Sequence, residues 1–295
     1  FKQTIMEECT YKNGEKEDIN VTRGHIISPT VSGLIRRDQH WSWCLDDELG
    51  IAYIRIRQFT SGTVEELHNA IKQLKENKLV NGLVLDLRDN PGGALDAAIG
   101  VVDMFLGEGQ IVSITGRNKP LRGTSATSPK LLEDVPLLVI INGNSASASE
   151  IVAGALQGND RAVVLGTRSY GKGSVQEVRE IAGGLLKLTV ARYDLANGRT
   201  IDRKFTDDLE IWGVDPSNGL AVLESTQDHL ARYEAAEPYR VITNEEPVDS
   251  QCGDPNWIQS ILGDRQLAEA LRAIQAKLVE GQWPTLSDDD PVVVI

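Results

Sequence analysis

Three short apolar runs limit what this 295-residue chain can fold into. They are Leu83-Val-Leu-Asp-Leu87, Leu137-Leu-Val-Ile-Ile141 and Ala162-Val-Val-Leu-Gly166. Runs this short, bounded by turn residues, read as strands, the first two of them buried. Helical patterns lie between and before them. From Thr63 to Asn77, Val64, Leu67, Ala70, Ile71 and Leu74 recur at helical spacing, with Thr63 as the expected N-cap. A second helix is expected through Ala97 to Leu106, and the segment at Ser147 opens a third. Ile51 to Arg57 alternates apolar and polar residues, as a half-buried strand does. Leu185 to Arg192 alternates in the same way and is expected near a sheet edge. Strand and helix in this rhythm predict an α/β fold, mixed α+β in detail, with a partly parallel sheet covered by helices.

The pattern changes at both ends. Residues 1–26 read as a hairpin, because Lys12-Asn13-Gly14-Glu15 joins two short strands and Asn-Gly is a strong hairpin turn. A lone hairpin is marginal in water, so this one calls for neighbours that the chain does not supply. Beyond about residue 225 the α/β alternation stops. Leu267, Leu271, Ile274 and Leu278 share a helical face, and the polar, Pro-containing residues 243–256 read as a linker. The chain therefore divides into 1–26, a core at 27–225, and a helical region with a tail at 226–295. The tail ends Val292-Val-Val-Ile295, an apolar run of high β propensity. It is read as a strand for a sheet edge in a second copy of the chain, or as a ligand for a peptide-binding groove.

Composition excludes several functions. Hydrophobic residues make up 41% and charged residues 25%, as in ordinary globular proteins. A net charge of −13 argues against a nucleic-acid partner, which needs a basic surface. No apolar run approaches the ~18 residues of a membrane span. Cys9, Cys44 and Cys252 match no metal spacing, and an odd number makes no disulfide framework; they read as small buried thiols. The first residue is Phe1 rather than Met, which reads as a start inside a longer gene product.

The chemistry centres on Ser147 and Lys172. Ser147, in Asn144-Ser-Ala-Ser-Ala-Ser-Glu150, follows a buried strand and begins a helix. Free N–H groups and the positive helix end there can hold a developing oxyanion. The same residues also read as a capping box of Ser147 and Glu150, and the two readings are compatible. Lys172 lies in the glycine-rich Tyr170-Gly-Lys-Gly-Ser-Val-Gln176. A neutral lysine can take a serine's proton as a histidine does. Gly166-x-x-x-x-Gly-Lys172 is a near miss to a phosphate-binding loop, but Gly173 stands where Ser or Thr would hold magnesium. His25, His40, His68 and His229 form no recognisable triad or metal motif. Arg88-Asp-Asn-Pro-Gly-Gly93 is a turn whose glycines let backbone N–H groups approach a ligand.

Taken together these segments resemble the C-terminal processing peptidases, also called tail-specific proteases. The resemblance rests on Gly50-Ile-Ala-Tyr-Ile-Arg-Ile with Phe59, on Asp86-Leu-Arg-Asp-Asn-Pro-Gly-Gly93, and on Ser145-Ala-Ser-Ala-Ser-Glu-Ile151. It continues through Gly171-Lys-Gly-Ser-Val-Gln176, Leu186-Lys-Leu-Thr-Val-Ala-Arg-Tyr193 and Gly213-Val-Asp-Pro216. These motifs span roughly residues 20–220. The resemblance implies a crotonase-like protease core and a serine endopeptidase with a Ser-Lys dyad. Ser147 would be the nucleophile, Lys172 the general base and Gln176 the residue that orients the lysine. The backbone N–H groups of Ala148 and Gly93 would hold the oxyanion, with Gly92 the weaker candidate. It implies no cofactor and no metal, unfolded or C-terminally exposed protein substrates, and a bacterial periplasm or other extracytoplasmic space. Residues 1–26 would be the last strands of a PDZ domain. A non-hydrolytic peptide-binding module on the same fold is the alternative, and the intact Ser, Lys and Gln argue against it. One departure is Asp194-Leu-Ala-Asn-Gly198, where the family usually has a Pro-containing turn.

Overall fold

The structure is a computed structural model that describes residues 4–10, 14–24, 28–37, 40–77, 80–116, 119–195, 198–204, 211–240 and 253–286. Strands β1 (Thr4–Thr10) and β2 (Lys16–Thr22) form an antiparallel hairpin, paired from Thr4↔Thr22 to Thr10↔Lys16. Four short strands follow: β3 (Val31–Ser32), β4 (Ile35–Arg37), β5 (His40–Ser42) and β6 (Cys44–Asp46). Then come β7 (Ile51–Ile56), α1 (Thr63–Glu76), β8 (Gly82–Asp86), α2 (Leu95–Leu106), β9 (Gln110–Gly116) and β10 (Lys119–Ser125). The central segment continues as β11 (Leu137–Ile141), α3 (Ala148–Gly158), β12 (Val163–Gly166), β13 (Ser174–Ile181) and β14 (Gly184–Leu195). The chain closes with α4 (Thr226–Arg240), α5 (Pro255–Ile261) and α6 (Arg265–Glu280).

The main sheet has the order β12-β11-β8-β7-β3, with β6 also paired to β7. Strands β7, β8, β11 and β12 are parallel. Successive residues of β8 face opposite layers. Leu83 and Leu85 join α1, α2 and α3 in one core; Val84 joins Trp257, Leu267, Leu271 and Ile274 of α5 and α6 in the other. This two-sided burial is why the parallel strands are written as nearly continuous apolar runs. Helix α6 therefore belongs to the body of the fold: its apolar stripe covers the face of the sheet that α1 to α3 leave open.

A second sheet, of order β10-β9-β14-β13, is antiparallel. Residues 185–190 of β14 pair with β13 alone, near an edge as expected, and only Ala191 to Leu195 also pair with β9. Residues 184–189 are accordingly exposed on both faces. Thr63 is the first helical residue of α1 and Gly62 the N-cap; the Thr63 hydroxyl instead accepts from Thr60 N–H at 2.9 Å. Strand β13 begins two residues after Lys172, so no helix N-terminus follows the glycine-rich turn and the phosphate-loop reading fails. Strands β1 and β2 join no other sheet, and their side chains are almost all exposed. Cys9 and Cys44 are half-buried rather than buried. Cys252, His25, the tail at 291–295 and most of the linker at 243–256 lie outside the described residues; residues 255–256 open α5.

Candidate active site

Loops at the carboxyl ends of parallel strands form the site, where open α/β sheets generally place ligands. The loop after β8 carries Gly92 and Gly93. The loop after β11 carries Ser147, and the loop after β12 carries Lys172. The register Asp86↔Ile140 and Ile141↔Gly166 brings the three loops level at one end of the sheet.

Ser147 stands at the N-cap of α3 with φ of 59°. A residue other than glycine seldom occupies this region, and such strain of about 1–3 kcal/mol is characteristic of functional turns. Glu150 restrains the turn by accepting from Ser147 N–H at 2.7 Å, its half of the expected capping box. That carboxylate does more than cap. It also accepts from Lys172 N–H at 2.8 Å, from Gly171 N–H at 2.6 Å and from the Ser169 hydroxyl at 2.6 Å. One buried side chain thus ties the turn carrying the serine to the turn carrying the lysine. Burial pushes the Glu150 carboxyl above its ordinary range, and the four hydrogen bonds work against that rise by favouring the anion.

The candidate oxyanion donors lie on two loops. Ala148 is the first residue of α3, so its N–H is one of the orphan donors of a helix start. Gly92 lies directly against it: a Cβ on Gly92 would come within 2.9 Å of Ala148 N and 2.8 Å of Ser147 Cβ. Gly92 N–H is already committed to Asn90 Oδ1 at 2.9 Å. Among the described contacts nothing accepts from the N–H of Gly93 or of Ala148. Gly93 has φ of 147°, and a Cβ there would fall 2.0 Å from Phe59 O. Only glycine fits this crossing.

A cavity of about 320 Å³ collects these groups. Gly93, Ser147, Ala148, Lys172 and Gln176 all line it. Its walls are completed by Leu95, Ile151 and Val175, and by Lys187 and Tyr193. Lys172 is half-buried and Gln176 exposed. Among the described contacts no hydrogen bond joins the Ser147 hydroxyl to Lys172 Nζ; in unliganded sites catalytic hydrogen bonds are often long. Buried Tyr193 donates its hydroxyl to the Lys172 carbonyl. Burial, and then the nearby Glu150 charge, push the tyrosine well above its ordinary range, so it stays a neutral donor. None of the described histidines, His40, His68 and His229, reaches this cavity.

Sequence reasoning saw Glu150 only as a cap and gave Tyr193 and Lys187 no role. Tyr193 is the one aromatic in its strand, a signal of packing at best. Nothing local marks the bridging role of Glu150, since its second set of partners lies 19 to 22 residues away.

Residues 50–216 match the model of Peptidase family S41, and the chain belongs to that family. It is 47% identical over 244 residues to a carboxy-terminal-processing protease of Bartonella bacilliformis, covering 79% of this chain and 54% of that protein. It is 40% identical over 145 residues to a carboxyl-terminal-processing protease of Synechocystis, covering 49% of this chain and 34% of the relative. The solved structure of a photosystem II D1 C-terminal processing protease superposes with a TM-score of 0.53 at 27% identity. That match covers 75% of this chain and 56% of the other. The chain thus spans about half or less of the length of these curated relatives.

Proposed function

We propose that this chain is a serine endopeptidase of the C-terminal processing type, with Ser147 as nucleophile and Lys172 as general base. The carrying observation is one cavity in which a serine on a strained strand-to-helix turn, a lysine and two uncommitted backbone N–H groups meet. Neutral Lys172 takes the proton as Ser147 Oγ attacks the peptide carbonyl. Ala148 and Gly93 N–H groups receive the oxyanion, and the lysine then protonates the leaving amine. Water, activated by the same lysine, hydrolyses the acyl-enzyme. Gln176, at the mouth of the cavity, orients the lysine. The expected substrates are unfolded proteins or proteins with exposed C-termini in a bacterial extracytoplasmic compartment. Family membership and the names of the relatives support this reading. The hairpin at 1–26 is read as the end of a PDZ domain, and self-association is expected to run through the terminal regions.

The test is turnover of an unfolded protein by the wild-type chain and by Ser147→Ala, each shown to be folded. Hydrolysis lost on substitution supports the dyad. Binding without turnover in both proteins would establish the non-hydrolytic module instead.

A further inference from the structure

The oxyanion donors sit on different loops, so catalysis depends on the distance between those loops. Neutral hydrogen bonds stitch them together: Ala146 N–H to Asn90 O at 3.0 Å, and the hydroxyls of Ser149 to Asn90 O at 2.9 Å and Ser145 to Leu87 O at 2.8 Å. One charged stitch stands beside them. Asp89 Oδ1 accepts from Asn142 Nδ2 at 2.8 Å and from Asn144 Nδ2 at 3.0 Å, and Asp89 N–H donates to Asn142 Oδ1 at 3.0 Å. Asp89 lies four residues before Gly93, and Asn144 three before Ser147.

Its other oxygen is held from outside the loops. Asp89 Oδ2 meets Arg232 Nη2 at 3.2 Å and Arg55 Nη2 at 3.5 Å. Arg232, on α4, is only 2% exposed and is itself fixed by Glu224 at 2.7 Å. Asp89 also holds φ of 60°, unusual for a residue other than glycine. A short acidic side chain, a strained backbone and donors on both oxygens concentrate on a residue that touches no reacting atom.

We infer that Asp89 is a positioning residue that holds the Gly93 and Ala148 donors at their working separation; this rests on the peptidase reading above. Its neighbours on both carboxylate oxygens are donors. The isosteric Asn therefore fails in either orientation, because its NH₂ must face another donor. A carboxylate at this point stiffens the frame around the oxyanion, which forms only in the transition state. Its loss therefore lowers transition-state binding and leaves substrate binding alone.

The experiment compares wild type and Asp89→Asn on one peptide substrate. It also measures affinity for a peptide aldehyde, which forms a tetrahedral adduct with Ser147, and for the matching peptide alcohol, which does not. Expected are a kcat reduced about tenfold or more with KM within about twofold, and aldehyde affinity falling in step while alcohol affinity holds. An unchanged kcat, or equal losses for aldehyde and alcohol, overturns the inference. Should Asp89→Asn fail to fold, Asn144→Ala removes one donor at an exposed residue. The same split is expected there at about threefold, and its absence overturns the inference equally. A wild-type chain that neither hydrolyses the peptide nor binds the aldehyde refutes the peptidase reading itself, whereas a loss confined to the Asp89 and Asn144 variants leaves that reading standing.

Discussion

In the proposed dyad Lys172 would act as a base only without its proton, and this makes the lysine the most exacting residue to substitute. Arginine keeps the length and charge but stays protonated. Lys172→Arg should therefore lower kcat by about 10²–10⁴-fold while leaving the far-ultraviolet spectrum and Tm unchanged. Gln176→Ala removes the proposed orienting group and should cost about tenfold or less. Steady-state rates on one peptide measure both, and near wild-type turnover by Lys172→Arg would exclude the dyad. Ser147 and Lys172 were legible from sequence because each is a distinctive residue in a glycine- or serine-rich turn after a buried strand. Asp89, Glu150 and Tyr193 were not legible in their bridging roles, because those roles consist of contacts with other turns.

The elements matter through the three loops they bring level. The β8 loop must pass close enough to the α3 start for Gly92 to touch Ser147, and it has no room for a side chain there. Gly92→Ala would place a Cβ 2.7 Å from Ala146 O and 2.8 Å from Ser147 Cβ, at φ of 98°. The loop must retreat, taking the Gly93 donor with it. Turnover should fall by about 10²-fold or more, the range for losing one oxyanion donor, with a smaller loss of Tm. Equal turnover in Gly92→Ala and wild type would show that this loop supplies no donor. Strands β8, β11 and β12 were readable because double-sided burial leaves a nearly unbroken apolar run; β7 read as half-buried because Arg55 interrupts its run, although its residues are nearly all buried. Strands β9, β10 and β13 carry no such mark: their sheet leaves much of its surface in water, so its pairing depends on partners distant in sequence.

At the scale of the whole molecule, an ion network ties the end of β8 to the start of α6. Arg88, fully buried, pairs with Asp86 at 2.7 Å and with Asp264, the N-cap of α6, at 2.8 Å. Burial alone would raise the Asp264 carboxyl. The Arg88 charge and hydrogen bonds outweigh it and hold the carboxyl below its ordinary range. The folded chain therefore releases this proton more readily than the unfolded chain. Its stabilisation is complete above about pH 4, the unfolded carboxylate range, and is lost as pH falls toward the depressed folded value. Asp264→Asn should cost about 3–5 kcal/mol at pH 7 by leaving Arg88 half-compensated. In urea unfolding the gap from wild type should narrow between pH 7 and pH 3; a constant gap would show that the pair does not carry the acid sensitivity. Removing residues 1–24 should shift Tm by less than about 2 °C, since none of the hairpin's described residues belongs to either core.

Local pattern alone determined the buried parallel strands, the helices between them and the turns carrying Ser147 and Lys172. The period of apolar residues and the placement of glycine are dictated within a few residues of where they are written. Tertiary structure alone decided which turns meet. Arg88 and Asp264 are 176 residues apart in the chain, yet their contact seats α6 on the open face of the sheet. The same holds for Glu150 spanning two turns and for Asp89 clamped by α4. Buried charge must find its partner wherever folding brings one, and that location is a property of the assembled layers rather than of any neighbouring residues.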